Sequence, residues 1–214
     1  RVGPAPGGSG RGAHPLEGKV ENVARLYDAG YRMLGLQHFF DNELGGSLHG
    51  VSGAGLTEFG RAAVMAAERA GMMIDIAHSS EAVARETLAL AARPLVVSHT
   101  GLRGHCDSAR NVPDALLKSV AEKGGLIGVG FWDGAVCAAT LGAVADAVVY
   151  AVNLVGADHV ALGSDFAGAV TTPIDAAESA ALVAALLERG LDADTVRKVM
   201  GENQIAFFAA HLPD

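Results

Sequence analysis

The sequence is poor in cysteine, in basic clusters and in long apolar runs, and each shortage excludes something. It has two cysteines in 214 residues, Cys106 and Cys137. Neither sits in a CxxC pair, so no metal knuckle and no disulfide framework are expected, and a reducing cytosol is tolerated. Lys and Arg number 16 against 24 Asp and Glu, a net charge of −8, with no basic cluster. A nucleic-acid partner is therefore excluded. No apolar run reaches the roughly 18 residues of a membrane span, and no signal-peptide pattern is visible, so a cytoplasmic location is favoured. The Gly pair of "ELGGSLHG" lacks the Lys and the spacing of a phosphate-binding loop and reads as a flexible loop.

Apolar material is plentiful. Half the residues are hydrophobic and 19% are charged, the balance of a globular chain. The length suits one large domain or two small ones, and neither a tandem repeat nor an interdomain linker is visible. The opening "RVGPAPGGSGRGAHP" has no apolar periodicity. Residues 1–15 are expected to be a disordered or non-native Gly/Pro-rich leader, and 16–214 the folded portion.

From residue 19 strands and helices alternate. Short apolar runs "YRMLGLQH", "MMIDIAH", "PLVVSH", "LIGVGF" and "HVALGSD" read as five strands. Between and after them lie helical patterns near 19–29, 56–71, 80–92, 115–125, 141–156, 175–189 and 193–209. Thr57 is a plausible N-cap and Gly71 a plausible stop for the second. Alternation of this kind predicts an α/β fold with a parallel sheet covered by helices.

All five runs close on polar or aromatic residues: His38, His78, His99, Trp132 with Asp133, and Asp165. In parallel α/β folds the carboxyl ends of the strands share one side, the active face of a barrel. Two histidines at equivalent ends of consecutive strands point to a shared metal or acid/base site, since imidazole is a common zinc ligand. His14, His49, His105, His159 and His211 lack that context and read as surface or loop residues. Arg110, alone, reads as a solvated arginine, with Asp114 capping the next helix.

At these positions the chain resembles the membrane (renal) dipeptidases, zinc peptidases on a (β/α)8 barrel of the amidohydrolase type. The matching pieces are "QHFFDNELGGS", "GLTEFGRAAVMAAERAGMMIDIAHSS", "VVSHTG", "SARNVPD" and "ALGSDFAG", in order along the chain. The resemblance implies an incomplete TIM barrel, its five strands corresponding to strands four to eight. It implies zinc, two ions in the family, with His78 and His99 as metal ligands. It makes His38 the histidine that meets the carbonyl oxyanion and Arg110 the arginine that holds the substrate's free carboxylate. Asp165 becomes the aspartate that handles the substrate amine and the transferred proton, and Trp132 an aromatic lining the pocket. The implied reaction is hydrolysis of a dipeptide by metal-activated water; relatives often accept a D-residue at the second position.

The chain departs from the family at the other ligands. No His-x-Asp pair precedes residue 38, and Arg11-Gly12 stands where a bridging Glu-Gly is normal. Glu17 is the only nearby acid and reads as a loop or first-turn residue. At most one partial zinc site is therefore expected, and 16–214 reads as the C-terminal portion of a dipeptidase barrel domain whose N-terminal part is missing. Exposed edges of its first and last strands would invite self-association, a homodimer included. Two further readings stand beside the zinc dipeptidase. One is an inactive dipeptidase-like remnant that acts only as a binding or structural module. The other is an amidohydrolase for cyclic amides or esters, which Arg110 disfavours because a carboxylate-reading arginine implies a free C-terminus.

Overall fold

The computed structural model describes residues 9–12 and 14–213, the side chains of 9–11 excepted. The chain forms two compact units, Arg1–Val96 with Ala209–Asp214, and Val97–Phe208. Each repeats one theme, a parallel strand followed by a loop and a covering helix.

In the first unit β1 (Ser9–Arg11), β2 (Met33–Gly35) and β3 (Met73–Asp75) pair in parallel in chain order. The first residue of β4 (Val96–Thr100), Val96, aligns with Asp75. Leu34, Met73 and Ile74 are buried, as a strand covered on both faces requires. Helices α1 (Asn22–Asp28), α2 (Glu58–Ala70) and α3 (Glu81–Leu90) follow the expected pattern. Thr57 accepts the Gly60 N–H to cap α2, and Gly71 closes it in the left-handed conformation, as the sequence suggested. Ser80 caps α3 by accepting the Val83 N–H at 3.1 Å.

The second unit continues with β4, β5 (Leu126–Val129) and β6 (Val160–Leu162), again in chain order. Helix α4 (Asp114–Glu122) links β4 to β5. The short α5 (Asp133–Val136) and the long α6 (Leu141–Val155) precede β6. Val144, Ala145, Ala147, Val148 and Ala151 bury one face of α6. After α7 (Ser179–Glu188) the expected single helix over 193–209 is instead α8 (Ala193–Arg197), a widened turn over Lys198–Glu202, and α9 (Asn203–His211). Gly201 departs from helical geometry there, at the weakest helix former of the segment.

The fold is α/β with parallel strands, six among the described residues against the eight of a complete (β/α)8 barrel. The sixth is β1, where no element was expected. Its Gly-rich sequence has no alternation to detect, and the pairing is made by backbone groups. Residues 1–8 and 13 lie outside the described residues.

The cysteine reading needs correction. Cys106 and Cys137 are joined in a disulfide with Cα atoms 5.5 Å apart. Nothing in their spacing announced it; the loops after β4 and β5 bring them within bonding geometry. Disulfides persist in oxidising compartments, so the bond bears on where the chain keeps it intact. No helix among the described residues is long and apolar enough to cross a membrane. Asp114 is not a cap either: it is the first residue of α4 behind Pro113, and its carboxylate accepts from the Gly104 N–H at 3.0 Å and the Tyr150 hydroxyl at 2.5 Å.

Candidate active site

The strands stop earlier than the sequence pattern suggested. β2, β3, β5 and β6 end at Gly35, Asp75, Val129 and Leu162. His38, His78, Trp132 and Asp165 thus stand on the loops just beyond, each three residues past its strand, while His99 lies inside β4. Loop placement frees these side chains from the strict in–out alternation of a strand. It also demands unusual backbone: His78 and Asp165 adopt φ of 63° and 58°. The left-handed region disfavours residues with a Cβ, so these conformations are held by their surroundings.

In the first unit His38 and His78 come together, their ring centroids 4.9 Å apart in an edge-on arrangement. His78 is buried and His38 exposed. One hydroxyl ties the pair. Ser47 Oγ donates to the His38 carbonyl at 2.7 Å and lies 3.2 Å from the His78 carbonyl, which also accepts the Leu48 N–H at 2.7 Å. These bonds fasten the His78 peptide in its left-handed turn. Ser47 is itself placed by Asp41, whose carboxylate accepts from the N–H groups of Ser47, Val51 and Ser52 at 2.7, 3.1 and 3.0 Å. The Ser47 and Ser52 N–H groups hold the Asp41 carboxyl below the usual aspartate range. The supposedly flexible "ELGGSLHG" loop is therefore a structured clamp. His49, read as a surface histidine, has its ring 6.0 Å from that of His78 and stacked on Phe39 at 5.6 Å. A cavity of about 410 Å³ opens beside His38, lined by His14, Phe39, Phe40 and Asp41 among others.

In the second unit Arg110, His99 and Trp132 meet. Arg110 is no solvated arginine; it is 7% exposed. Its Nη2 donates to the His99 carbonyl at 3.0 Å, and the guanidinium carbon lies 5.2 Å from the Trp132 ring centre, within cation–π range. The His99 and Trp132 rings are 6.0 Å apart. Asn111 was missed. Fully buried, its Nδ2 donates to the carbonyls of Cys106 and Ala135 at 2.8 and 2.9 Å. The backbone packs so closely here that a Cβ on Gly101 would lie 2.1 Å from the Ala135 oxygen. Asp165 stands on the loop that Phe166 anchors edge-on to Phe131, at 5.8 Å.

No group of three or more His, Cys, Asp or Glu side chains is gathered among the described residues as a metal ion requires. A catalytic zinc takes three protein ligands and leaves one position open. Two imidazoles, His78 and His99, fall short of that set, so the described residues do not make a complete zinc centre.

The sequence of residues 8–210 matches the family model for "Membrane dipeptidase (Peptidase family M19)". A dipeptidase of Aspergillus oryzae, aclJ, is 33% identical over 206 residues, which are 90% of this chain and 48% of that protein. The chain thus spans about half the length of this curated relative. Among solved structures, a metallopeptidase described as dipeptidase AC of family M19 superposes with a TM-score of 0.86 at 27% identity, covering 95% of this chain and 64% of that one. A metallopeptidase from Rhodobacter sphaeroides, "liganded with phosphinate mimic of dipeptide L-Ala-D-Ala", gives 0.83 at 27% identity, with 95% and 62% covered. By the match of almost its whole length, this chain belongs to the membrane dipeptidase family, peptidase family M19.

Proposed function

We propose that residues 16–214 are the C-terminal portion of a dipeptidase barrel and that this portion carries dipeptide recognition. The observation that supports this most is the Arg110 guanidinium, buried yet aligned by the His99 carbonyl and the Trp132 ring. A guanidinium in low dielectric reads a carboxylate through two parallel hydrogen bonds. A free C-terminus is the carboxylate that a dipeptide presents. In this reading His38 donates to the oxyanion that forms on the scissile carbonyl. Asp165 accepts the substrate's ammonium group and holds the proton that the leaving amine needs. The ring of Trp132 lines the pocket and keeps water from the Arg110 ion pair. Zinc is the family metal, and His78 and His99 are the residues here that would bind it, at most a partial site. Hydrolysis of the peptide bond is proposed for the whole protein.

The test is calorimetric titration of the purified chain with L-Ala-D-Ala and with its C-terminal amide. The free acid should bind and the amide should not, and Arg110→Ala should erase the difference. Equal binding of acid and amide would remove Arg110 from the carboxylate role. Zinc analysis and a hydrolysis assay on the same preparation separate an enzyme from the alternative, an inactive module that binds without turnover. A chain that turns over dipeptide at about 10 per second, an ordinary enzyme rate, would show that it completes its metal centre with residues other than those assigned here.

A further inference from the structure

Two loops of the second unit each supply half of the Arg110 cradle. The loop after β4 carries the guanidinium, and the loop after β5 carries the Trp132 ring. Two ties join them: the Cys106–Cys137 bond and the hydrogen bond from Asn111 Nδ2 to the Ala135 carbonyl. Cys106 lies four residues before Arg110, and Cys137 five after Trp132, directly behind α5. The bond therefore sets the spacing of the two loops at the point where the cation meets the ring. Its ends differ in access: Cys106 is 1% exposed, whereas Cys137 is on the surface. A thiolate can thus reach the bridge from the Cys137 side.

We propose that the Cys106–Cys137 disulfide is a redox-sensitive positioning bridge for Arg110. Oxidised, it holds the guanidinium against Trp132 in the pose that binds a carboxylate; reduced, it releases the Trp132 loop and weakens that binding. The proposal rests on the reading of Arg110 as the carboxylate anchor. The reductant is a dithiol. One of its thiolates attacks the Cys137 sulfur, forming a mixed disulfide and expelling Cys106 as a thiolate. The second dithiol sulfur then closes on the first and releases Cys137. Two electrons and two protons pass to the protein, which gains two thiols, and the dithiol becomes a cyclic disulfide. The Asn111 bonds involve no sulfur and survive, so the unit stays folded while its cradle loosens.

Trp132 is the one tryptophan of the chain, so emission excited at the red edge, beyond the absorption of the three tyrosines, reports on the cradle. The experiment compares the oxidised chain, the chain reduced with dithiothreitol and the Cys106→Ser/Cys137→Ser variant, all with a chelator present so that no turnover consumes ligand. Far-UV circular dichroism, Trp132 emission, acrylamide quenching, and affinity for L-Ala-D-Ala and its amide are recorded. Reduction should leave the far-UV signal in place, shift Trp132 emission to the red and raise quenching. It should weaken dipeptide binding on the order of tenfold, the scale of one charge-assisted hydrogen bond lost. The double variant should match the reduced chain, and reoxidation should restore the wild-type chain only. Unchanged emission and affinity on reduction would overturn the bridge's role and leave the Arg110 reading standing. Equal binding of dipeptide and amide by the oxidised chain would instead take down the Arg110 reading, and the bridge's role with it. Collapse of the far-UV signal on reduction would also overturn the proposal, because the bond would then hold the fold and not the cradle.

Discussion

The two units solve one problem with different materials. Each holds candidate site residues on loops just past parallel strands, where no ladder of hydrogen bonds fixes them. The first unit does it with one hydroxyl and one carboxylate: Ser47 ties His38 to His78, and Asp41 holds Ser47. The second does it with a covalent bond and a buried amide: Cys106–Cys137 and Asn111 fix the surroundings of Arg110 and Trp132. The first arrangement is reversible at every link and answers to protons. The second is stiff and answers to electrons. Where a site needs a histidine in a costly backbone conformation, many weak bonds suffice. Where it needs a cation packed against a ring out of water, the chain uses a stronger tie.

Substitutions at four positions bear on this contrast, and the largest effect is expected at the amide. Asn111→Ala strips the Ala135 carbonyl of the Asn111 donor and leaves the Cys106 carbonyl with only the Ser108 N–H at 2.8 Å, and it should destabilise the second unit by about 2 kcal/mol. Urea denaturation followed by Trp132 emission measures it, and a loss below about 0.5 kcal/mol, the range of an ordinary surface substitution, would mean that the disulfide alone carries the tie. Ser47→Ala should come next, at about 1 kcal/mol. Its sharper readout is the ring resonances of His38 and His78 in nuclear magnetic resonance spectra. Both should move, and if only one does, the hydroxyl is no clip between them.

The cost of the left-handed turn is the third measurement. At His78, with φ of 63°, His78→Gly should be more stable than His78→Ala by about 1 kcal/mol, because only the glycine accepts that conformation without strain. Equal stability of the two variants would remove the claim that the loop forces the backbone there.

The smallest effect concerns acid. The folded-state carboxyl of Asp41 is lowered, so its contribution is present above the usual aspartate range and is lost as pH falls through the lowered value. Asp41→Asn should remove that acid dependence from the amide resonances of Ser47, Val51 and Ser52. A wild-type loop that stays unchanged through strong acid would show that the carboxylate is not its organiser.

Much of this architecture could be read directly from residue patterns, and the exceptions have physical causes. The runs around Ile74, Val97 and Ile127 are short, apolar and bounded by helical periodicity, so strand–helix alternation was plain. Strand β1 was invisible because glycine backbone pairs without leaving a side-chain pattern. Histidines 38 and 78 were placed on strand ends, whereas apolar runs outlast the hydrogen-bonded ladder by a few residues. The disulfide joins cysteines whose separation of 31 residues carries no signal until the loops are folded. Ser47 and Asn111 looked like ordinary loop polar residues. Their importance comes from burial, at 2% and 0% exposed, and burial is a property of the folded chain. The roles proposed for Arg110 and Asp165 came from family resemblance, since a lone arginine or aspartate in a loop names no chemistry.

The loop closed by Cys106 and Cys137 contains α4 and β5 entire. Tying the ends of such a loop removes chain entropy from the unfolded state worth about 3–4 kcal/mol in the loop-closure model. It also changes what a protease can accomplish. A single cut between the two cysteines leaves both fragments joined, and the nicked chain runs at full mass on a non-reducing gel. Only reduction of the bond would let the fragments part, so whether a nick in this segment separates the chain is itself set by the oxidation state of the surroundings.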